Sequence, residues 1–439
     1  MIKSVTFNVA KSKKKVAESK EKSGFLRIHF AIILNLLAST VQRLAVGKLI
    51  IACVAVGAAI SLVEILIRVT EEKKHDFSAC QSLDRNFHHV MIADSLCRFK
   101  TDEWDVTYKM NNSGLRDEKV DSEKGEKFRI LLLGDSFAQG HGVEAEESFG
   151  EILEEMLNLG NSEKYEVINA GVFGYSPIIE YLYLKKKGLE FKPDLVILAF
   201  SLTDFWEDRQ RFSELRLSYP EKNDREIKEK IAVGDVEFDW EKINRGGSVS
   251  AADVSWFEET IFKFKHFLRE NFRTYQKFAE FWDSRNEFVQ QDVIYQGDID
   301  RDIAALVRGD KISEQDYQEL WKLPVEHLAL VKKLLDELVI PLIVVGIPDA
   351  FQVSSREWPG RSGLAIAVDF SDPRGPYQAE LSRRLTNLDI SFVDLISDFK
   401  NSGIYPLYFS RDGHFRQRGH VLAAGAVFRE LKNRFPNLH

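Results

Sequence analysis

The sequence is short of positive charge, cysteine and repetition. Its 439 residues carry a formal net charge of -8 and include 3 cysteines. An acidic chain of this kind has no electrostatic footprint for nucleic acid, which excludes that class of partner. Hydrophobic residues make up 44% of the chain, so a large core can form and wholesale disorder is excluded. The length suits either one enlarged α/β domain with an appendage or roughly two to three average domains.

Motifs of several enzyme classes are missing. There is no Gly-x-Ser-x-Gly elbow of the α/β-hydrolase type. Gly140 and Gly142 lack the remaining positions of a dinucleotide fingerprint. His88 and His89 lack the carboxylate or cysteine spacing of a metal site. The sequence therefore predicts neither an organic cofactor nor a metal ion.

Long apolar runs are scarce, and the longest one predicts a membrane span. Residues 49–69 carry only two charges, Glu64 and Arg68, and as a helix would cross a hydrocarbon core. The basic segment 1–48 precedes them, which predicts a cytoplasmic N-terminus and a periplasmic or extracellular C-terminal domain. A buried core helix is the alternative. A shorter apolar stretch, 30–38, is interpreted as interfacial; a second crossing there would turn the C-terminal domain towards the cytoplasm.

Two of the cysteines follow this span on its predicted outer side. Cys80 and Cys97 would lie in a compartment where a disulfide persists. Sequence spacing does not show whether their Cα atoms are close enough, so a disulfide and two free thiols both stay open. Cys53 lies inside the apolar run and is expected to be inert.

The remainder of the chain has the pattern of an α/β domain. Segment 70–127 links the span to this domain, and its part 108–116 predicts an edge strand leading in. In 128–439, apolar runs alternate with helical patterns. The runs that predict strands are 128–133, 165–168, 195–200, 341–345 and 390–393, and the helical patterns are 148–159, 178–187, 325–338 and 419–435. This alternation predicts a parallel sheet of about five strands with helices on both faces.

A segment of about 205–323 interrupts the alternation. It is rich in charged and aromatic residues, and its patterns are mostly helical. The phenylalanines within 262–278 predict a small core of the insert's own rather than a ligand cage. The domain would therefore carry a helical insert.

Two short motifs near the ends of this domain carry the chemistry. Gly134-Asp135-Ser136-Phe137 follows a predicted strand and opens a helix, which places Ser136 at the carboxyl end of a parallel strand, where α/β sheets hold ligands. Asp412-Gly413-His414 lies in a loop before the last helix, with a carboxylate two residues from an imidazole. Each motif alone could be a helix cap or a turn. Together they supply a nucleophile, a base and an acid that orients the base.

The combination resembles the SGNH hydrolases, also called GDSL-like lipases and esterases, of the membrane-anchored bacterial type. The resemblance implies a three-layer, flavodoxin-like domain with Ser136 as nucleophile, His414 as base and Asp412 as its orienting acid. A second family block matches 169–174, where Gly174 would supply an oxyanion N–H beside that of Ser136. The segment 112–116 also resembles the approach to the first block in that type.

The third block of the family departs from the pattern. The family's Gly-x-Asn-Asp is replaced by Ser201-Leu202-Thr203-Asp204. The asparagine that contacts the oxyanion becomes Thr203, whose hydroxyl donates one hydrogen bond from a shorter arm. Loss of one such donor costs on the order of 100- to 1,000-fold in turnover. A slow esterase, an acyltransferase, a donor from the insert and another asparagine all stay open.

Other histidines are weighed against His414. His420 begins the last helix without an aspartate in the matching position, so His414 is preferred. His141 is close in sequence to Ser136 but is not aimed at its hydroxyl along a helix, and is predicted to line the pocket edge.

These observations predict a membrane-anchored serine esterase that hydrolyses ester-linked acyl groups by a Ser-His-Asp mechanism. Acyl groups on envelope or secreted polysaccharide are the expected substrates, by analogy alone because fold does not determine substrate. One alternative is an O-acyltransferase that uses the same three residues. The other is a catalytically impaired carbohydrate-binding or assembly module.

Overall fold

The computed structural model describes residues 80–117, 124–160, 164–246, 309–357 and 375–435, together with 61, 302 and 305–307. All of these except Ser61 belong to one compact unit, 74–254 and 288–439. The proposed span 49–69 and the phenylalanines of 262–278 lie outside the described residues, apart from Ser61. Within the described ranges, no helix has both the length and the apolar character needed to cross a bilayer.

Two antiparallel hairpins precede the main domain. Strands β1 (Gln81–Asp84) and β2 (His88–Met91) form the first, and β3 (Leu96–Lys100) and β4 (Asp105–Lys109) form the second. A disulfide joins Cys80 to Cys97, with their Cα atoms 6.0 Å apart. The open question about these two cysteines is thereby resolved in favour of a bond between the hairpins.

The predicted lead-in strand 108–116 is only partly a strand. β4 ends at Lys109 and pairs with β3, so it is not an edge strand of the main sheet. The residues that follow turn because the Asn111 side chain accepts hydrogen bonds from the Ser113 and Leu115 amides. Gly114 closes this turn with φ of 74°, and a Cβ there would lie 2.4 Å from the Met91 carbonyl oxygen.

Five buried apolar runs form the parallel sheet. They are β5 (Phe128–Leu133), β6 (Tyr165–Asn169), β7 (Leu195–Phe200), β8 (Leu342–Gly346) and β9 (Ser391–Asp394), in the spatial order β6-β5-β7-β8-β9. The first strand thus lies between the second and the third, which is the doubly wound order of flavodoxin-like folds. The predicted α/β class and strand number are confirmed.

Helices cover both faces of this sheet. They are α1 (Ser136–Gln139), α2 (Phe149–Asn158), α3 (Pro177–Lys186), α4 (Asp204–Ser218), α5 (Asp224–Val233), α6 (Trp240–Gly246), α7 (Glu314–Glu337), α8 (Ala350–Val353), α9 (Gly375–Asn387), α10 (Ile396–Asn401) and α11 (Gln417–Arg434). Along β5, Ile130 and Leu132 belong to the core under α2 and α11, whereas Leu131 and Leu133 belong to the core under α3 and α7. This alternation follows from the two-residue period of a strand and produces three layers.

The described part of the predicted insert joins the principal core. Helix α4 packs against α3 and α7. α7 begins at Glu314, where the Ser313 side chain caps it by accepting from the Asp316 amide, and it continues through the buried Pro324, so it starts before the expected boundary at 325. Trp321 is fully buried. Its ring stacks on that of Tyr377 and makes an edge-to-face contact with that of Phe205. These aromatic residues therefore stabilise the sheet's helical layer rather than a separate core.

Candidate active site

Ser136 lies at the corner between β5 and α1. Gly134 makes this corner possible, because a Cβ there would lie 2.8 Å from the Ala138 Cβ and 2.9 Å from the Ala199 Cβ. Asp135 caps the helix by accepting a hydrogen bond from the Phe137 amide at 2.8 Å. Ser136 is consequently the first helical residue, at the carboxyl edge of the sheet, as the strand–turn–helix pattern predicted.

The loop before α11 brings His414 to the same edge. Residues 409–414, here called the catalytic loop, connect the two sides of an antiparallel bridge between Tyr408 and Phe415. The Phe409 amide donates to the His414 carbonyl, and the Gly413 amide donates to the Phe409 carbonyl, each at 2.9 Å. Gly413 has φ of 88°, which glycine adopts at no steric cost.

Ser136, His414 and Asp412 form a hydrogen-bonded series. The Ser136 Oγ is 2.7 Å from the His414 Nε2, and the His414 Nδ1 is 2.5 Å from the Asp412 Oδ1. An ionised Asp412 accepts a hydrogen bond from the Nδ1–H group of His414. The Nε2 lone pair is then available to accept the serine proton. Burial acts to raise the pKa of Asp412, but the nearby His141 and the hydrogen-bonded His414 outweigh it and hold that pKa below its ordinary value.

Glu103 holds the catalytic loop and was missed by sequence reasoning. Its carboxylate accepts hydrogen bonds from the amides of Ser410, Arg411 and Asp412 at 2.7, 2.9 and 2.9 Å. Glu103 lies in the turn between β3 and β4, more than 300 residues away in sequence. No local motif distinguishes it from the other acidic residues of the chain, so no sequence signal could have identified it.

The loop after β6 packs against the serine corner. The Asn169 side chain donates to the Ala138 carbonyl at 2.8 Å, and the Val172 amide donates to the Gly134 carbonyl at 3.0 Å. Gly171 approaches α1 so closely that a Cβ would lie 2.5 Å from the Gln139 amide nitrogen. Gly174 ends this loop with φ of 75°. The loop expected to bind the oxyanion is thus fastened beside Ser136.

Thr203, which was expected to assist the oxyanion, has a hydroxyl that contacts Asp135 and Ser201. Its hydroxyl is 3.1 Å from the Asp135 Oδ2, to which it donates, and 2.8 Å from the Ser201 Oγ. The Ser201 hydroxyl donates to the same Asp135 oxygen at 2.9 Å. A hydroxyl has one proton, and that of Thr203 is directed at a buried carboxylate. Thr203 and Ser201 thus both donate to the carboxylate that caps α1.

A group of buried carboxyls lies behind this corner. Asp204 accepts from the Ser201 amide at 2.7 Å, and Asp208 accepts from the Ile178 amide at 2.8 Å. Glu180 is fully buried, and neither of its carboxyl oxygens has a hydrogen-bond partner among the described residues. Burial, together with the nearby charges of Asp135, Asp208 and Glu207, raises the pKa of Glu180 well above its ordinary value.

The two histidines weighed against His414, His420 and His141, lie in different places. His420 is buried, and its Nδ1 accepts a hydrogen bond from the Phe149 amide at 3.2 Å, away from the Ser136 hydroxyl. His141 was expected at the pocket edge but is buried, 4% exposed, behind the catalytic loop. Its ring centroid is 4.5 Å from that of His414, and its Nε2 is 3.7 Å from the Asp412 Oδ2.

In the part of the chain that the structure describes, one set of side chains offers three close ligand atoms for a metal ion. His141, Asp412 and His414 place these atoms within 4.8 Å of one another. His414 already uses Nδ1 for Asp412 and Nε2 for Ser136. A metal ion bound by His414 here would have to replace one of these two hydrogen bonds.

No protein-family model matches the chain, and no curated protein matches it. Solved structures do resemble it. The acetyl xylan esterase AlAXEase is 13% identical, with 69% of this chain and 99% of that one covered, at a TM-score of 0.34. The lipase/acylhydrolase from Enterococcus faecalis is 15% identical over 70% of this chain and 96% of its own, at 0.33. A catalytic mutant of an acetylxylan esterase from Geobacillus stearothermophilus is 13% identical over 70% and 95%, at 0.34.

Similarity of this degree does not establish a family. The fold and the site together define the protein by its geometry. The protein has a doubly wound parallel sheet with serine, histidine and aspartate hydrogen-bonded in series at its carboxyl edge.

Proposed function

We propose that the protein is a serine esterase of the SGNH type that hydrolyses ester-linked acyl groups. The observation that carries this proposal is the unbroken series from Ser136 through His414 to Asp412, with separations of 2.7 and 2.5 Å. Nucleophilic catalysis by serine needs a base within about 2.6–3.2 Å of the hydroxyl and a third group that orients the base. Both requirements are met by residues from two distant motifs.

In the proposed reaction, the Nε2 of His414 takes the Ser136 proton as Oγ attacks the ester carbonyl. The backbone amides of Ser136 and Gly174 would stabilise the tetrahedral oxyanion, and His414 would protonate the departing alcohol oxygen. Water then attacks the acyl-enzyme as His414 accepts its proton, and His414 returns that proton to the Ser136 Oγ as the bond to the acyl group breaks and the carboxylic acid leaves. Asp412 stabilises the imidazolium formed in both steps. No part of this sequence of steps needs a metal ion or an organic cofactor.

The membrane anchor at 49–69 and the outward orientation belong to the same proposal. The basic segment before the span supports a cytoplasmic N-terminus, and the disulfide between Cys80 and Cys97 supports an oxidising compartment for the domain. An outward-facing domain beside a membrane would meet acylated saccharides of the cell envelope, which we propose as the substrate class. C-terminal reporter fusions test the orientation, since activity of a reporter that works only in the cytoplasm would contradict it.

Activity is tested with the full chain and p-nitrophenyl acetate, followed by acetylated xylo-oligosaccharides. We expect acetate release that Ser136→Ala abolishes and that Ser82→Ala, at an exposed serine of β1, leaves intact. A fluorophosphonate probe should label the wild-type chain and Ser82→Ala but not Ser136→Ala. Transfer of acetyl to an added oligosaccharide in preference to water would indicate an acyltransferase. Absence of both labelling and turnover in folded protein would indicate a binding module.

A further inference from the structure

Asp412 has a second histidine on its other oxygen. While Oδ1 accepts from His414, Oδ2 faces the His141 Nε2 at 3.7 Å. His141 follows α1 directly, so the same short segment carries the nucleophile and a group that faces the acid. Asp412 is thus placed between two imidazoles, and that of His414 contacts Ser136.

Tyr108 contacts the other ring nitrogen of His141. The Gly142 amide donates to the Tyr108 hydroxyl oxygen at 3.2 Å, and that hydroxyl is 3.1 Å from the His141 Nδ1. If Tyr108 donates to Nδ1, the histidine proton lies on Nε2 and points towards the Asp412 carboxylate. The opposite tautomer would place the Nε2 lone pair against an anion, which is electrostatically unfavourable.

The surroundings of His141 make this contact stronger than it would be at a surface. Tyr108 is fully buried, and the rings of Phe99, Trp104 and Phe173 lie 5.7, 5.0 and 5.4 Å from the His141 ring. A low local dielectric strengthens an N–H dipole that faces a carboxylate. Burial also lowers the pKa of His141 to about 4, so at neutral pH it acts as an uncharged donor.

We propose that His141, held by Tyr108, is a positioning residue that acts on Ser136 through Asp412 and His414. It shares the negative charge of Asp412 and keeps the carboxylate rotated so that Oδ1 faces the His414 Nδ1. Without it, the whole charge of Asp412 would act on His414, and the carboxylate could turn away from the imidazole. This inference rests on the proposed esterase function and adds two positioning residues, His141 and Tyr108, behind its Ser-His-Asp series.

The central variants are His141→Phe, which removes the donor, and His141→Gln, which retains an N–H. We expect His141→Phe to lower kcat on the order of 10-fold, part of what a positioned base contributes, with little change in KM. The acid limb of the kcat/KM profile should move to higher pH, because Asp412 then stabilises protonated His414 more strongly. His141→Gln should restore most of kcat.

Tyr108→Phe provides a second variant, since it keeps the ring and removes only the hydroxyl. We expect a fall in kcat and a shift of the acid limb to higher pH, both smaller than in His141→Phe. The groups that face His141 are Tyr108 from β4, Arg116 from the segment after it, and Asp412 and His414 from the catalytic loop, so the control must lie elsewhere. His327→Gln removes a buried histidine bonded to Asp208 and should leave the acid limb unmoved.

The outcomes separate this inference from the proposed function. Wild-type protein that shows no turnover dependent on Ser136 contradicts the esterase itself. Active wild type with an unchanged kcat and acid limb in His141→Phe contradicts the positioning role alone. Equal loss of activity and stability in His141→Phe, His141→Gln and Tyr108→Phe, with the limb unmoved, would show a purely structural role. Independently of activity, nitrogen NMR of His141 should show the proton on Nε2.

Discussion

The two halves of the site are held in different ways. Ser136 is held by the sheet itself, through the glycine corner after β5 and the Asp135 cap. The catalytic loop carries Asp412 and His414. It is held by the side chain of Glu103, from the β3–β4 hairpin, and by that of His141, which lies just after α1. The nucleophile therefore depends on local backbone geometry, whereas the base depends on contacts between segments far apart in sequence.

The largest expected effect comes from the acid of the catalytic loop. Asp412→Asn keeps the shape of the side chain but cannot hold His414 with its proton on Nδ1. We expect kcat to fall on the order of 1,000- to 10,000-fold with KM little changed. Steady-state kinetics with p-nitrophenyl acetate measure this, and a fall of less than about 10-fold would remove Asp412 from the mechanism.

Glu103→Ala breaks the support of the catalytic loop without altering the side chains of Ser136, His414 or Asp412. Three amides lose a charged acceptor, so we expect kcat to fall on the order of 10- to 100-fold, since a small misplacement of a catalytic group is costly. The free energy of unfolding should fall by about 2 kcal/mol in urea titrations. Asp102→Ala is the matched control, because Asp102 and its partner Arg411 are 86% and 71% exposed. Equal effects of the two variants would contradict the proposed support.

Replacing Cys80 and Cys97 by serine tests whether the hairpins need their covalent link. The bond closes a chain separation of 17 residues, so we expect the free energy of unfolding to fall by about 3 kcal/mol. The kcat of the folded fraction should not change, because Glu103 and Tyr108 pack through their own contacts. Urea titrations and kinetics below the unfolding transition measure both quantities, and a loss of kcat in folded protein would show that the link itself positions the site.

Glu180→Gln examines the buried carboxyls on the nucleophile side. The folded-state pKa of Glu180 is raised well above its ordinary value near 4.5, so the folded protein binds the proton more tightly than the unfolded chain. Wild-type stability should therefore be complete below about pH 4.5 and fall as pH rises above it, by up to about 1.4 kcal/mol per pH unit. Urea titrations at pH 4 and pH 8 should show near-equal stability at the lower pH and a more stable variant at the higher one. The reverse order would contradict a protonated Glu180.

The smallest expected effect comes from Thr203→Val, which removes the hydroxyl that contacts Asp135. We expect a loss of about 1 kcal/mol in the free energy of unfolding from urea titrations. The kcat should fall by less than about 10-fold, because the hydroxyl is directed at Asp135 rather than at an oxyanion. A loss of kcat of about 100-fold or more would show that Thr203 is an oxyanion donor.

What the sequence could predict follows the same division. The corner at Ser136 was predictable because a buried run, a glycine and a helical pattern are neighbours in the chain. The parallel sheet was predictable for the same reason, since each strand is a continuous apolar run. His414 and Asp412 were found because they are two residues apart.

The contacts that fasten the catalytic loop were not predictable. Glu103 lies 309 positions from Asp412, and nothing near it in sequence indicates a partner. His141 was predicted to line the pocket edge, and its contact with Asp412 could not be predicted because the two residues are far apart in sequence. The predicted start of α7 was too late in the sequence, because a proline inside a helix resembles a proline at a helix start. In each case, tertiary packing decided what local pattern left open.

Trapping the acyl-enzyme tests the central claim most directly. Wild-type protein mixed with p-nitrophenyl acetate, quenched in acid and digested, should carry one acetyl group on the peptide that contains Ser136. His414→Ala, treated in parallel, should carry none. An acetyl group at another residue, or equal acetylation of Ser136 in the two proteins, would contradict a serine activated by His414.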